Sequence, residues 1–423
     1  MKKALVLAGG DPQIELIRNL KARGYEVILA DYLENPPARP HADRFYRIST
    51  LDVPAIRMLA HDLGVDFLIT VCTDQALLTV AAVSEDLHLP CYIDAKTALR
   101  VTNKAHMKKV FEDYGVPSSP CRIVSTEAEL EDLGLAFPLV VKPVDCNSSK
   151  GVARVGSPDE LREAFRVAQA LSRTRTAIVE GFVSGEELSA DVYVEGGIAR
   201  LLSVSRLEKL PIDGRFVISS SFCSARLMSR VGAEVTAVAQ KIADGFGLRD
   251  TPMLIQMLEG RDGLNVLEFS ARTGGGEKYR TVRRVSGFDV IDAVIELTLG
   301  ARPHVKARAF TGDACVATQF VYAQAARLGE LRGAERLVRA GVVEDLYAYK
   351  PVGGEIGGAR GSGDRVAGFT LCGDERTLAA KLDRVREELA VVGEDGRDVT
   401  AFREQWGAGW FERIPSRGEG GES

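Results

Sequence analysis

The chain has 423 residues, 45% hydrophobic and 27% charged, with a formal net charge of −5; this length exceeds one compact core, so two or three packed domains are expected. The acidic balance argues against a nucleic-acid binder, which carries a basic stripe, and no apolar run approaches the roughly eighteen residues of a membrane-spanning helix. Seven cysteines without a C-x-x-C pair and five histidines without H-E-x-x-H point to scattered reduced thiols and no zinc site, so any metal is expected on oxygen ligands, which suits Mg2+.

Ala4–Ala8 is a short apolar run ending in Gly9-Gly10. It is too short for the core of a signal peptide and reads as a first strand, in keeping with a cytoplasmic protein. Asp11-Pro12 supplies an N-cap with Pro at the first helical position, and Ile14, Ile17 and Leu20 mark one face of a helix that stops at Gly24. Val27–Ala30 and Phe67–Val71 are the next clear strands, with Asp31 at the end of one and Thr73 or Asp74 capping the helix after the other. This βαβ pattern implies a parallel sheet. Asp31 follows the first glycines at the spacing of a dinucleotide fingerprint, but Gly9-Gly10-Asp11-Pro12 is not G-x-G-x-x-G. A substrate- or phosphate-facing α/β domain is the better reading, because helix N-termini after parallel strands attract anions.

From about residue 103 to 303 the texture changes to strands, hairpins and glycine loops. Asn103–Pro117 reads as a basic helix ending at Gly115, with Lys104 near its start; a solvated face is the default for such lysines. Leu139-Val140-Val141 forms a strand with Lys142 at its end, followed by a loop through Ser148-Ser149-Lys150-Gly151. Small residues let backbone N–H groups approach an anion, and a lysine beside such a loop is a natural phosphate contact. A strand from Ala177 ends in Glu180, and a linker through Gly181-Phe182-Val183 leads to a second strand at Glu187. There Leu188, Ala190, Val192 and Val194 share the apolar face, whereas Glu187, Ser189 and Asp191 point away from the core.

Ser203–Arg215 is expected to fold over a site, with Arg206, Lys209 and Arg215 either gripping a carboxylate or serving as solvated surface charges. Gly260-Arg261-Asp262-Gly263 reads as a hairpin turn that sets Gln256 opposite Glu268, with Ser270 on the same face. A buried polar cluster of this kind must be satisfied, and a cation is the sharp reading against a plain exposed face. Thr273-Gly274-Gly275-Gly276-Glu277-Lys278 is a loop suited to an anion or substrate. Residues 304–415 hold strand-like stretches and one amphipathic helix, with Leu378, Leu382, Val385 and Leu389 on one face. The Gly-, Glu- and Ser-rich residues 416–423 are expected to be disordered.

In this order and spacing the segments resemble the ATP-grasp superfamily, in the branch with biotin carboxylase, carbamoyl-phosphate synthetase, purine-biosynthetic ligases and L-amino acid ligases. The resemblance covers about residues 1–375 and is strongest across 103–280. It implies an α/β (α+β) architecture: a Rossmann-like domain at 1–102, an ATP-grasp domain of two α+β subdomains at 103–303, and a small C-terminal lid or substrate subdomain at 304–415. It implies that Lys104 and Lys142 hold ATP phosphates, the second also near the adenine, and that Ser148-Ser149-Lys150-Gly151 is the phosphate loop. Glu180 to Val183, including Gly181 and Phe182, would pair with the adenine edge, mostly through backbone groups, and Glu187 would bind the ribose. Glu268 would be the principal Mg2+ carboxylate, with Gln256 and Ser270 beside it, and Arg272 would steady a developing acyl phosphate.

Two departures stand out, for Gln256 replaces the family's usual Asp or Glu and Ser270 its usual Asn. An amide oxygen still ligates Mg2+ but adds no charge, so weaker metal binding is expected, or one ion held by protein and another mainly by phosphates. The implied activity is an ADP-forming ligase that activates a carboxylate as an acyl phosphate and couples it to an amine, with an amino acid or peptide-like substrate. ATP and Mg2+ would be the cofactors, with Mn2+ admissible, and the partners would be small molecules, without nucleic acid or membrane and with room for a homodimer. Lys142, Glu268 and Arg272 would be catalytic, while Gly274, Gly275 and Lys278 join Arg206, Lys209 and Arg215 as substrate candidates. Glu268→Gln and Arg272→Ala are expected to abolish ADP formation with little loss of fold. Two alternatives stay open: a bicarbonate-activating or carbamoyl-forming enzyme, and a non-catalytic nucleotide-binding regulator.

Overall fold

The computed structural model describes residues 1–146, 151–212, 215–306 and 308–411. The chain folds into two compact units, one built from Met1–Val204 with Met228–Ala309 and the other from Ser205–Leu227 with Phe310 onward. Among the described residues no helix is long and apolar enough to cross a membrane.

The first unit opens with β1 (Lys3–Leu7), α1 (Asp11–Ala22), β2 (Glu26–Asp31), β3 (Arg44–Arg47), α2 (Val53–Leu63), β4 (Phe67–Ile69), α3 (Asp74–Asp86) and α4 (Ala95–Thr102). The strands form a parallel sheet in the order β3-β2-β1-β4, as the βαβ pattern implies. Leu5, Leu7, Ile28 and Leu68 pack on one side with Ile56, Ala60 and Val80. Val6, Leu29 and Ile69 pack on the other with Leu16, Leu20 and Val294. Burial on both faces explains why these strands read as unbroken apolar runs. The cap of α1 is Gly10, not Asp11, which stands inside the first turn. The chain runs from β1 outward through β2 and β3, then returns to the other side of β1 at β4. Ligands of such sheets bind where this order reverses, outside the carboxyl ends of the two strands.

The same unit continues with α5 (Lys104–Asp113), β5 (Cys121–Val124), β6 (Leu139–Pro143), β7 (Ala153–Val155), α6 (Pro158–Leu171) and β8 (Ala177–Gly181). Their antiparallel sheet has the order β5-β8-β6-β7, and Leu161, Phe165 and Ala168 of α6 pack on Val141, Val155 and Val179. Next come β9 (Glu186–Glu195) and β10 (Ile198–Ile212), which enters the second unit at Ser205, followed there by β11 (Arg215–Ser224). Helix α7 (Ala225–Phe246) returns to the first unit, which ends with β12 (Thr251–Gly260), β13 (Gly263–Ser270), α8 (Lys278–Ser286) and α9 (Val290–Thr298). Strand order here is β13-β12-β9-β10.

The second unit adds β14 (Cys315–Ala323), β15 (Ala326–Arg332), α10 (Ala334–Arg339), β16 (Asp345–Ala348), β17 (Glu355–Ile356), β18 (Ala367–Gly373), α11 (Glu375–Glu388) and β19 (Ala390–Gly393). Its strands run β10-β11-β14-β18-β16 and β17-β15-β19. Leu378, Leu382 and Val385 of α11, with Leu389 just beyond it, are buried among Phe369, Leu371, Trp406 and Trp410, on the one face that their spacing predicts. The tail expected to be disordered lies outside the described residues.

Candidate functional site

Asn103 caps α5 by accepting from the His106 N–H at 3.0 Å. Lys104 and Lys108 follow one turn apart, a spacing that puts them on one side of the helix, and each is 7% exposed. Both therefore escape the solvated role that is the default for lysine. Strand β6 pairs with β8 so that Val140 faces Glu180, which sets Lys142 diagonally across on the same face. Lys142 Nζ lies 2.8 Å from Glu180 Oε1, and Lys108 Nζ lies 3.2 Å from the same oxygen. Burial pushes the Glu180 carboxyl up, but the two ammonium groups outweigh it and hold the carboxyl below its usual range. Burial lowers Lys108 more than Glu180 raises it. Lys104 Nζ donates to the Cys146 carbonyl at 2.6 Å and sits 3.4 Å from Glu268 Oε2. Glu180→Ala is expected to cost about 3–5 kcal/mol, because it leaves two buried ammonium groups without their counter-ion; chemical denaturation measures this directly.

The hairpin of β12 and β13 closes on Gly260 and Gly263 and places Gln256 opposite Glu268 and Leu254 opposite Ser270. The pairing shifts between Gln256 and Met257, so β13 carries one extra residue, Leu267. That bulge inverts the alternation. Leu264, Val266 and Phe269 are all buried, while Asn265, Glu268 and Ser270 share the opposite face. Strand β9 extends this face, with Glu187 opposite Leu258, Ser189 opposite Gln256 and Asp191 opposite Leu254. Glu187 is half-buried, whereas Ser189 and Asp191 are buried, on the face expected but covered rather than open. Gln256, Glu268 and Ser270 thus present an amide, a carboxylate and a hydroxyl side by side. This all-oxygen set fits a hard dication whose remaining positions are filled from elsewhere.

Beyond Ser270 the chain meets the carboxyl end of β4. Arg272 donates from Nε and Nη2 to the two oxygens of Asp74 at 2.8 and 2.6 Å, and from Nη1 to the Thr273 carbonyl at 2.8 Å. Both side chains are 14% exposed. Burial raises the Asp74 carboxyl, but Arg272 beside it prevails and holds it low. The Cys72 N–H donates to Thr273 Oγ1 at 2.9 Å, and its thiol donates to the Gly274 carbonyl at 3.0 Å. Burial pushes that thiol up to about 12, so it is no nucleophile at neutral pH. A Cβ on Gly274 would stand 2.5 Å from Asp191 Oδ1 and 3.0 Å from Lys278 Cβ, so only glycine fits there. Asp191 accepts from Ser203 Oγ at 3.0 Å; burial raises its carboxyl, and Lys278 opposes that.

Other sequence candidates divide. Ser148, Ser149 and Lys150 lie outside the described residues, whereas Gly151 has φ +74 and a Cβ there would meet Leu171 Cδ1 at 2.7 Å. Gly181 ends β8. Exposed Phe182 lies under the Arg154 guanidinium, 4.4 Å from the ring centre, and Val183 follows half-buried. Arg206 belongs to the second unit, where it is ion-paired to Glu208 at 2.9 Å over the Phe222 ring. Lys209 of β10 is half-buried in that unit, and Arg215 starts β11 opposite Ile212. Asp31 accepts from the Gly9 and Leu33 N–H groups, both at 2.7 Å, so the acid at the dinucleotide-like spacing is engaged by its own backbone.

Residues 135–280 match the family described as the ATP-grasp domain. The chain therefore carries an ATP-grasp domain, for which ATP with Mg2+ is the typical cofactor pair. Among curated proteins it is similar to formate-dependent phosphoribosylglycinamide formyltransferase of Haemophilus ducreyi, 30% identical over 43% of this chain and 47% of that protein. The counterpart from Parabacteroides distasonis is 26% identical over 58% and 63%. The chain thus spans about half the length of the Haemophilus ducreyi relative and of others like it. Among solved structures, phosphoribosylglycinamide synthetase from Anaerococcus prevotii aligns with a TM-score of 0.75 at 18% identity, over 93% of this chain and all of that one. The L-amino acid ligase from Bacillus licheniformis aligns with 0.74 at 18%, over 93% and 99%. At such identities these neighbours establish the α/β fold that the sequence implies.

Proposed function

We propose that the chain is an ADP-forming ligase that phosphorylates a small carboxylate with ATP and transfers the acyl group to an amine. The observation that carries this reading is a pair of ion-paired lysine groups inside and beside the ATP-grasp match, Lys104 with Glu268 and Lys108 and Lys142 with Glu180. Lys104 and Lys142 bind phosphate oxygens of ATP, with Ser148 to Gly151 as the covering loop. Glu180 to Val183 meets the adenine edge, and Glu187 meets the ribose. Glu268, Gln256 and Ser270 would hold Mg2+ or Mn2+, which when bound supplies positive charge to the phosphates. Arg272 spends three N–H donors on Asp74 and Thr273, and this clamp aims the rest of the guanidinium at the reacting carboxylate. A substrate carboxylate oxygen forms a bond to the γ-phosphorus as the bond to ADP breaks. The amine nitrogen then bonds to the acyl carbon, phosphate leaves, and the amine gives up a proton.

The names of the relatives favour formate as the first carboxylate to try, and the L-amino acid ligase fold favours amino acids as the second. Seven cysteines, none in a disulfide, suit a reducing, cytoplasmic setting. A phosphate-release assay over carboxylates paired with amines tests the reading. ADP and phosphate that appear only with both substrates support it, and AMP with pyrophosphate, or binding without turnover, overturns it. Gln256→Glu adds a second carboxylate beside Glu268 and is expected to lower the Mg2+ concentration for half-maximal nucleotide binding on the order of tenfold, or about 1.4 kcal/mol. Titration with a non-hydrolysable ATP analogue measures it.

A further inference from the structure

One buried charge cluster in the first unit takes no part in that reading. Asp11 stands in the first turn of α1, beyond the carboxyl end of β1, with its side chain 10% exposed. Glu277 ends the glycine loop that begins at Arg272 and occupies the N-cap of α8 at φ +63, only 1% exposed. The two carboxyl groups are in hydrogen-bonding contact with each other. An ionised carboxylate has no proton to donate, so this contact needs one.

Arg280 serves both groups, its Nε donating to Glu277 Oε2 at 2.7 Å and its Nη2 lying 3.9 Å from Asp11 Oδ2. Arg18 and Glu15 of α1 also act on Asp11. From α8, Tyr279 lies beneath the Arg280 guanidinium and within the field of Glu277, and Cys72 faces Glu277 from the loop after β4. Burial raises both carboxyls, carrying Glu277 to about 7. One guanidinium shared between two buried carboxylates leaves net negative charge in a poorly solvated place once the proton is lost.

We propose that Asp11 and Glu277 share one proton and act as a positioning pair that latches the Arg272–Glu277 loop onto the N-terminus of α1. With the proton bound the loop is docked; with the proton lost the two carboxylates repel and the loop loosens. The latch rests on the proposed ligase only for its purpose, because this loop carries Arg272, Gly274 and Gly275 and leads into Lys278. Its sign follows from linkage. The folded chain keeps a proton that the unfolded chain loses near the ordinary carboxylate value of about 4.3. The stabilisation is therefore full below that value, declines as pH rises towards about 7, and is absent above it.

Hydrogen exchange of the full chain, without substrates, tests the latch on a peptide covering Arg272–Glu277. After correction for intrinsic exchange, protection is expected to fall at least tenfold between pH 6 and pH 8. Asp11→Asn replaces the shared proton with an amide donor and is expected to hold protection level across that range, and Glu277→Gln to do the same from the other side. Wild-type protection independent of pH, or the same pH dependence in both variants, overturns the proposal. Exchange is read without turnover, so a chain with no ligase activity would overturn the functional reading and leave this result to decide the latch alone.

Discussion

Glu268→Gln is expected to slow ADP formation by roughly a hundred- to thousandfold, the usual cost of removing one preorganised charged group at a phosphoryl-transfer site. Glu268 faces Gln256 across the hairpin, so the substitution leaves two amides and a hydroxyl where a dication needs anionic charge. The fold should survive. The side chain is 36% exposed and its ion-pair partner is Lys104 at 3.4 Å, and partly exposed pairs contribute about 0–1 kcal/mol. Coupled ADP detection and thermal unfolding of the same preparation separate the two effects. A variant that turns over at the wild-type rate would remove Glu268 from the proposed metal site.

Arg272→Ala is expected to cost both activity and about 3–5 kcal/mol of stability, as removing one member of a buried ion pair does. Here the structure corrects the sequence-based expectation of little loss of fold. The guanidinium is clamped by both oxygens of Asp74, and its loss strands a carboxylate that is 14% exposed. Removing that charge as well, in Arg272→Ala with Asp74→Asn, is expected to recover much of the stability but none of the activity. If the single variant unfolds at the wild-type denaturant midpoint, the clamp has no structural weight. Acid should act on the same pair. The Asp74 carboxyl is held low by Arg272, so its stabilisation is present above the ordinary carboxylate range and fades as pH drops through the lowered value.

The sequence shows local geometry well and distant pairing poorly. Strand alternation and a glycine-flanked turn were enough to set Gln256 against Glu268, yet the physical reason differs from simple counting. The two-residue turn at Arg261-Asp262 would by itself put Gln256 opposite Leu267, and the bulge at Leu267 supplies the missing step. The adjacent apolar pair Val266-Leu267, between Leu264 and Phe269, carries that step in the hydrophobic pattern. Lys142 stands out beside its loop, whereas Lys104, on a helix whose lysines read as solvated, is singled out only by the resemblance. Lys108 is singled out by neither, although its four-residue spacing from Lys104 is a usable signal. Thr73 and Asp74 both read as caps of the helix after β4; Thr73 is the cap residue, and Asp74 pairs with an arginine 198 residues away. No local rule foresees such a contact, nor the meeting of Asp11 with Glu277. Ser84, Thr79 and Gln13 are buried as well, so burial of a polar residue alone would not have singled out the site.

The extra residue in β13 makes the strand a ribbon of two opposite parities. Up to Val266 the even-numbered side chains are interior; from Phe269 the odd-numbered ones are. Glu268 therefore owes its outward aim to a count of residues, independent of its own chemistry. Were the same residues paired without the bulge, that carboxylate would turn into the core and Phe269 out onto the face of Gln256, changing no functional side chain yet exchanging the roles of both faces.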